Sequence, residues 1–504
     1  MAADRRTVLG LAALGTFVPA LPTLAQAPSA GSPADGAGPG ADLTGALAAW
    51  ATGVRYEDLP PEVVHAAKRD ILDSIGCAYA GWRSPKGRLA AEAMVRLGGA
   101  GDATVWGARG KIAATHAAFA NAELMNALDY DAIPHVPPAT LPAVAAVAQQ
   151  RAASGKDFIL AVVVSHEIAA RLSAASSQMQ SALAATGQTP DVFGINNEGI
   201  MAAAAALGGL LKLDPIRTRH AIGLAGYYCP PQVSRDWESL HTKTNVKYTP
   251  MGLINQSAVT AALLAEQGFT STPDVFAPPT GFSRFYGWPA WKPGVAGQGL
   301  GEQWRILGID FKPYAACRFI HSQIDCMRAL HDRHRFAPGD IVGIETLGVP
   351  FVAHPDPMNV TTAEDAQFST PYNLALAACG IAIDADAQSP QRLADPVVRA
   401  VMRRIRWGVH PGSPAAKAKD PRSYIARVSV TLKDGRILVE DALYPLGTAS
   451  QPDKRLSDEF LLTKFRENTE DRLGRTRASD LAARLQALEG QGSVQDLFGD
   501  DPRA

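Results

Sequence analysis

Apolar residues recur every third or fourth position through most of residues 43–270, and that period predicts helices. In "PPEVVHAAKRDILDSIGCAYAGW" the residues Val63, Val64, Ala67, Ile71, Ile75 and Ala78 lie on one helical stripe behind a proline start. "DFILAVVVSHEIAARLSAA" and "GIMAAAAALGGLLKLD" read as buried helices, and "MGLINQSAVTAALLAEQGFT" as another ended by Gly268. After about residue 310 the period shortens. "DIVGIETLGVPFV" and "YIARVSVTLKDGRILVEDAL" alternate like strands, and Asp434-Gly435 splits the second into a hairpin. Between them "PYNLALAACGIAI" and "DPVVRAVMRRIRW" read as helix. "LSDEFLLTKFREN" and "ASDLAARLQALEG" return to helix, opened by the capping residues Ser457 and Ser479.

These elements predict a mainly α protein: a large all-α domain over 43–312 and 446–495, with a smaller α+β lid, 313–445, inserted before the C-terminal helices. Composition agrees. The 504 residues suffice for a large core, and the abundant alanine lets helices approach closely. Charged residues are 19% of the chain and the net charge is −1, so no basic excess points to nucleic acid. The five cysteines show no C-x-x-C spacing and read as buried thiols.

The first 27 residues read differently. Arg5 and Arg6 precede an apolar run from Val8 to about Leu21, then Ala25-Gln26-Ala27. This is the layout of a twin-arginine export signal with an A-x-A cleavage site, so a periplasmic location is expected. Residues 28–42, rich in Gly, Pro, Ala and Ser, read as a flexible linker. No later stretch reaches 18 apolar residues free of charge, and no membrane domain is expected of the mature form.

Three stretches carry candidate chemistry. In "NALDYDAIPHVPPATLPAV" the acids Asp129 and Asp131 and the imidazole of His135 sit between alanine-rich helices, where unpaired charge is expensive. Pro134, Pro137 and Pro138 predict a helix end there, next to carboxylates that need cations or a ligand. In "DFKPYAACRFIH" Lys312, Tyr314, Arg318 and His321 lie close in sequence at the junction of helical domain and insertion, a favoured place for a ligand. Lys247 stands just before an apolar helix, close to an N-terminus that attracts anions. "HEIAAR" lacks the second histidine of a metal helix, so no metal is expected.

Taken in order, these segments resemble the MmgE/PrpD family, which includes 2-methylcitrate dehydratases and cis-aconitate decarboxylases. "LDSIGCAYAGW" resembles L-D-x-x-G-C-x-x-A-G, and "AAFANAELMNALDYDA" resembles A-A-x-x-N-G-x-x-x-H-x-L-D-F-D-D. "HVPPATLPAVAAVA", "VKYTPMG" and "FKPYAACRFIH" resemble H-P-S-x-x-x-x-P-A, K-P-x-H-x-G and K-x-Y-P-x-C-R-x-x-H, and "AQFSTPYNLALA" and "LSDEFLLTKFREN" match late motifs. The resemblance implies an all-α domain with an α+β lid and a cofactor-free homodimer. It places the site between the domains, on Asp129, His135, Lys247, Lys312 and Tyr372. It also implies loss of water or carbon dioxide from a small carboxylate, with dehydration first, making the protein a hydro-lyase. Asp129, His135 and Lys312 would be catalytic; Lys247, Asp131, Tyr314, Arg318 and Tyr372 would bind substrate. Two alternatives stay open: an isomerase or epimerase using the same proton abstraction, and a degenerate member that only binds a carboxylate.

The departures from the motifs point to a changed substrate or reaction. Asn126 stands where the family has histidine, and Ala132 and Ile133 replace an acid and a hydroxyl. "DVFGINNEG" lacks the histidine of G-x-H-x-T-G, and Tyr248 and Pro250 replace the proline and histidine of K-P-x-H.

Overall fold

The computed structural model describes residues 42–185, 197–230, 234–277, 281–282, 293–351 and 354–498. The expected export signal and all but the last residue of the linker lie outside these; Asp42 itself caps the first helix, accepting from the backbone N–H of Gly45. The α-helices named here are α1 (Leu43–Gly53), α2 (Pro61–Ala80), α3 (Pro85–Leu97), α4 (Ala114–Met125), α5 (Val136–Gln150), α6 (Gly155–Ala185), α7 (Gly199–Leu210), α8 (Pro215–Tyr227), α9 (Ser234–Ser239) and α10 (Met251–Glu266). Small residues dominate their contacts. Ala202–Ala206 of α7 and Ala143, Ala145, Ala146 and Ala148 of α5 are buried, so the axes come close.

One expectation shifts here. The prolines after His135 open α5 rather than close α4, which has already stopped at Met125. A third, Pro142, sits inside α5, where it cannot donate to the carbonyl of Pro138. Asn255 of α10 repairs the gap: its amide donates to that carbonyl at 2.8 Å and its oxygen accepts from Ala143 N at 2.9 Å. Within helix α6, Gly155–Ser176 is long and apolar enough to cross a membrane by composition, but most of that stretch is buried among neighbouring helices, which accounts for its apolarity.

Beyond residue 313 a mixed sheet forms from β1 (Ile341–Gly348), β2 (Ile405–Val409), β3 (Ala426–Leu432) and β4 (Ile437–Ala442), in the order β2-β1-β3-β4. Ile344 of β1 pairs with Ile405 in parallel and with Val430 antiparallel, and Val430 pairs with Leu438 across the hairpin. Gly435, at φ +86°, makes its turn. Helices α11 (His321–His334), α12 (Ala363–Phe368), α13 (Thr370–Ala378) and α14 (Pro396–Met402) accompany the sheet. The segment read as one helix through Trp407 therefore stops at Met402. Its end joins the strand Ile405–Val409, in which only Ile405 is buried, and gains a ladder there beside β1.

The buried apolar residues form two clusters. One gathers α1 to α10 with the C-terminal helix α15 (Asp458–Gln486); the other gathers residues of 314–442 around the sheet, and Phe351 packs against both. The chain passes between them at 310–314, where Ile133 and Asp310 exchange backbone hydrogen bonds of 2.8 and 2.9 Å. Gly447 holds the return segment against this crossing. Its φ is +90°, and a Cβ there would stand 1.9 Å from the carbonyl oxygen of Phe311.

Helix α15 corrects the last expectation. Ser457 caps it, accepting from Phe460 N at 3.1 Å, but Ser479 lies inside it; the break is at Gly474, φ +72°. Ser457→Ala should cost about 1 kcal/mol in chemical denaturation. Ser479→Ala should change stability by only a few tenths of a kcal/mol, because alanine is the better helix former. Equal losses would contradict the single cap.

Candidate active site

Between α4 and α5 the chain makes a non-helical turn with every backbone carbonyl from 126 to 130 turned into the protein. Each is met by a different side chain. Lys247 Nζ donates to Asn126 O at 2.8 Å, Gln367 Nε2 to Ala127 O at 2.8 Å and Gln388 Nε2 to Leu128 O at 2.9 Å. Lys312 Nζ donates to Asp129 O at 2.7 Å and Lys464 Nζ to Tyr130 O at 3.0 Å. Buried carbonyls must be paired, and here side chains replace a backbone ladder. Ammonium donors suit the place, since the C-terminal end of α4 is its negative end.

The same lysines take up the carboxylate of Asp129, which is fully buried. Lys247 lies 3.1 Å from its Oδ1 and Lys312 2.9 Å from its Oδ2. The Tyr248 hydroxyl donates to Oδ1 as well, at 3.1 Å. Asp129 and Lys247 both adopt left-handed backbone, φ +54° each, a conformation non-glycine residues hold only when their surroundings enforce it.

Asp131 faces the other side of the turn. Its Oδ2 meets His135 Nδ1 at 2.5 Å and its Oδ1 accepts from Asn126 Nδ2 at 3.3 Å. Asn126 Nδ2 also donates to the Tyr248 oxygen at 3.1 Å. His135 Nε2 is 3.9 Å from Asp129 Oδ1, and the Tyr248 and His135 rings lie 5.4 Å apart. The five side chains thus form a ring. Of its members His135 keeps the most contact with solvent, its side chain 13% exposed.

Charge balance sets the protonation states. Burial opposes the charged form of Asp129, but Lys247, Lys312 and His135 outweigh it and hold the carboxyl well below its usual value. Burial likewise opposes Asp131, and His135 brings it below the usual range. Tyr248 moves the other way: burial and then Asp129 and Asp131 push it well up, so it stays a donor. Burial and Asp129 push the Cys317 thiol up to about 12, which removes it as a nucleophile.

The surroundings hold this arrangement from both clusters. Lys464 of α15 also donates to the carbonyl of Lys312 at 3.0 Å and pairs with Asp73 of α2 at 2.8 Å. Gln388 also donates to Ala315 O at 2.8 Å. The loop that carries Lys247 rests on α12: Asp365 accepts from Lys243 N at 2.7 Å, and Glu364 from Asn245 Nδ2 at 3.1 Å. Behind it Glu123 of α4 accepts from Gly252 N at 2.7 Å and pairs with Lys86, which burial brings down to about 7.

The ligand atoms of Asp129, Asp131 and His135 lie within 4.8 Å of one another, a spacing a metal ion could use. Lys247 and Lys312 already occupy both Asp129 oxygens, however, and two ammonium groups repel a cation. The donor set does not suit a cation.

Of the residues named from sequence, Asp129, Asp131, His135, Lys247 and Lys312 meet here. Tyr314, Arg318 and Tyr372 do not. Tyr314 donates to Asp325 at 2.7 Å and Tyr372 to the carbonyl of Ala387 at 2.6 Å, and both belong to the second cluster. Arg318 binds Leu446 O at 2.7 Å and Thr448 Oγ1 at 2.9 Å, and lies 3.4 Å from Asp310. Lys312 faces the turn, whereas the chain beyond it enters the other core, so neighbours in sequence part company. In the sequence Asn126 and Tyr248 stand out only as departures from the motifs. Lys464 carried a signal: a lysine on the buried stripe Leu461, Phe465, Asn468. Gln388 carried none.

Residues 45–291 match the model of the MmgE/PrpD N-terminal domain and residues 314–489 that of the MmgE/PrpD C-terminal domain. A cis-aconitate decarboxylase-like protein, oryM, of Aspergillus oryzae is 26% identical over 491 residues, covering 91% of this chain and 97% of the relative. The cis-aconitate decarboxylase of Aspergillus terreus is 28% identical over 318 residues, 58% of this chain and 61% of the relative. That of Mus musculus is 24% identical over 470 residues, 89% of this chain and 91% of the relative.

Asp129→Asn should lower stability at neutral pH by about 3–5 kcal/mol, because two buried ammonium groups lose their counter-ion. Because Asp129 is depressed in the folded state, its contribution is complete above the ordinary carboxylate value of about 4 and is lost as pH falls through the folded value. The gap between wild type and variant should therefore hold down to about pH 4 and narrow below it. A gap that widens with acid would contradict the assignment.

Proposed function

The chain belongs to the MmgE/PrpD family, and we propose that it is a lyase acting on small carboxylic acids, with His135 moving the proton. The observation that carries this reading is the Asp131–His135 contact of 2.5 Å beside two buried lysines. Asp131 can only accept, so it holds the proton of His135 on Nδ1 and leaves the Nε2 lone pair for a substrate. Asp129, named from sequence as an acid/base candidate, is assigned another role. Both its oxygens are engaged by cations, and a carboxylate held so far below its usual value is a weak base at neutral pH. In this reading Asp129 anchors Lys247 and Lys312, whose ammonium groups share themselves with the substrate carboxylates.

The steps balance as follows. For loss of water, His135 Nε2 takes the proton from the carbon next to a carboxylate. The carbon's electron pair forms the double bond, and the resulting imidazolium returns a proton to the departing hydroxyl. For loss of carbon dioxide, the carboxylate's carbon–carbon bond breaks and leaves its pair on carbon, and that carbon takes up a proton drawn from solvent and passed on by His135. Carbon dioxide is the leaving group named for the relatives. Water, the first expectation from sequence, is favoured by an acceptor in this site, the carboxamide oxygen of Asn126.

Product NMR of the full chain with citrate and with cis-aconitate as probes tests the assignment. His135→Ala should lower turnover roughly 10²- to 10⁴-fold at unchanged circular dichroism. An undiminished rate would remove His135 from the chemistry.

A further inference from the structure

The carboxamide of Asn126 is fully buried, and only half of it is used. Its nitrogen donates twice, to Asp131 Oδ1 at 3.3 Å and to the Tyr248 oxygen at 3.1 Å. Its oxygen has no hydrogen-bond partner among the described residues. Rotating the amide by half a turn would not cure this. It would point the oxygen at Asp131, a charged carboxylate that can only accept, and strand the nitrogen instead. The orientation is therefore set by its neighbours, and it leaves a buried acceptor beside Asp131, whose other oxygen carries His135.

No neighbouring side chain donates to that oxygen. The Tyr248 hydroxyl has one proton, and it is committed to Asp129 Oδ1 at 3.1 Å. Lys247 and Lys312 each direct two N–H groups to the Asp129 carboxylate and the carbonyls of Asn126 and Asp129, and neither reaches the Asn126 oxygen. An acceptor left so in a dry site discriminates strongly between ligands that can donate to it and ligands that cannot.

We propose that Asn126 is the specificity-determining residue of this site, and that its oxygen takes a hydrogen bond from an O–H group of the ligand, so that the site prefers a hydroxy carboxylic acid over its deoxy or unsaturated counterpart. The proposal rests on the carboxylate-site reading above and sharpens it. A hydroxyl has one proton and two lone pairs. Donating to Asn126 leaves its oxygen free to accept from the His135 imidazolium, which sits on the far side of the same Asp131 carboxylate. The hydroxyl would be held by its proton and approached through its lone pair, the arrangement that departure as water requires.

Isothermal titration of the full chain with pairs matched in charge and size is the test: citrate against tricarballylate, and malate against succinate. The hydroxyl-bearing member should bind roughly tenfold more tightly. Asn126→Leu, close in volume, should abolish that preference, while Tyr248→Phe, which leaves the Asn126 oxygen in place, should retain it. Should Asn126→Leu fail to fold, the wild-type pairs decide alone. Equal affinity within each pair would overturn the proposal, because a water molecule would then be meeting the oxygen, and the carboxylate-site reading would survive. Binding of neither member would overturn both.

Discussion

Five consecutive carbonyls, 126 to 130, have no backbone ladder to join, and the protein meets each with a side chain brought from elsewhere. The remainder of the site depends on that constraint. Three of the donors are lysines, and buried lysines need counter-charges. Asp129 answers Lys247 and Lys312, and Asp73 answers Lys464. A buried ion pair that merely replaced apolar packing would add little stability. Here the ammonium groups also satisfy carbonyls, so removing one strands a charge and a carbonyl together. Each part of the arrangement is costly to leave alone.

This explains why the site belongs to both hydrophobic clusters. Gln367 and Gln388 come from the sheet-bearing part, Lys464 from the last helix, Lys247 from a loop resting on Asp365 and Glu364, and Lys312 from the crossing between the clusters. The turn between α4 and α5 is where they converge. Gln388 and Lys464 hold the carbonyls on which Asp129 and Lys312 are hung, so a substitution at either would disturb that turn.

How much of this could be read from the chain alone follows the range of the interactions. Asp129, Asp131 and His135 were legible because charge among alanines demands a reason. Lys247 and Lys312 were legible from their places before a helix and at a junction, and from the family motifs. Tyr314 and Arg318 are neighbours of Lys312 in sequence but not in space, because the chain changes core just after Lys312. Tyr372 was carried over from a motif and spends its hydroxyl on Ala387. The strand Ile405–Val409 was hidden because its ladder partner lies about sixty residues earlier. The repair of Pro142 by Asn255 was likewise hidden, since no local pattern announces a contact across more than a hundred residues.

The central claim is that Lys247 and Lys312 are an anion seat, held in place by the carbonyl run and shared between Asp129 and the substrate. The most direct measurement is a crystal structure of the full chain with citrate bound. The account predicts a citrate carboxylate within about 3.2 Å of both ammonium groups, with Lys464 still bridging the carbonyls of Tyr130 and Lys312. Citrate bound elsewhere, with both lysines still wholly engaged by Asp129 and the turn, would contradict it.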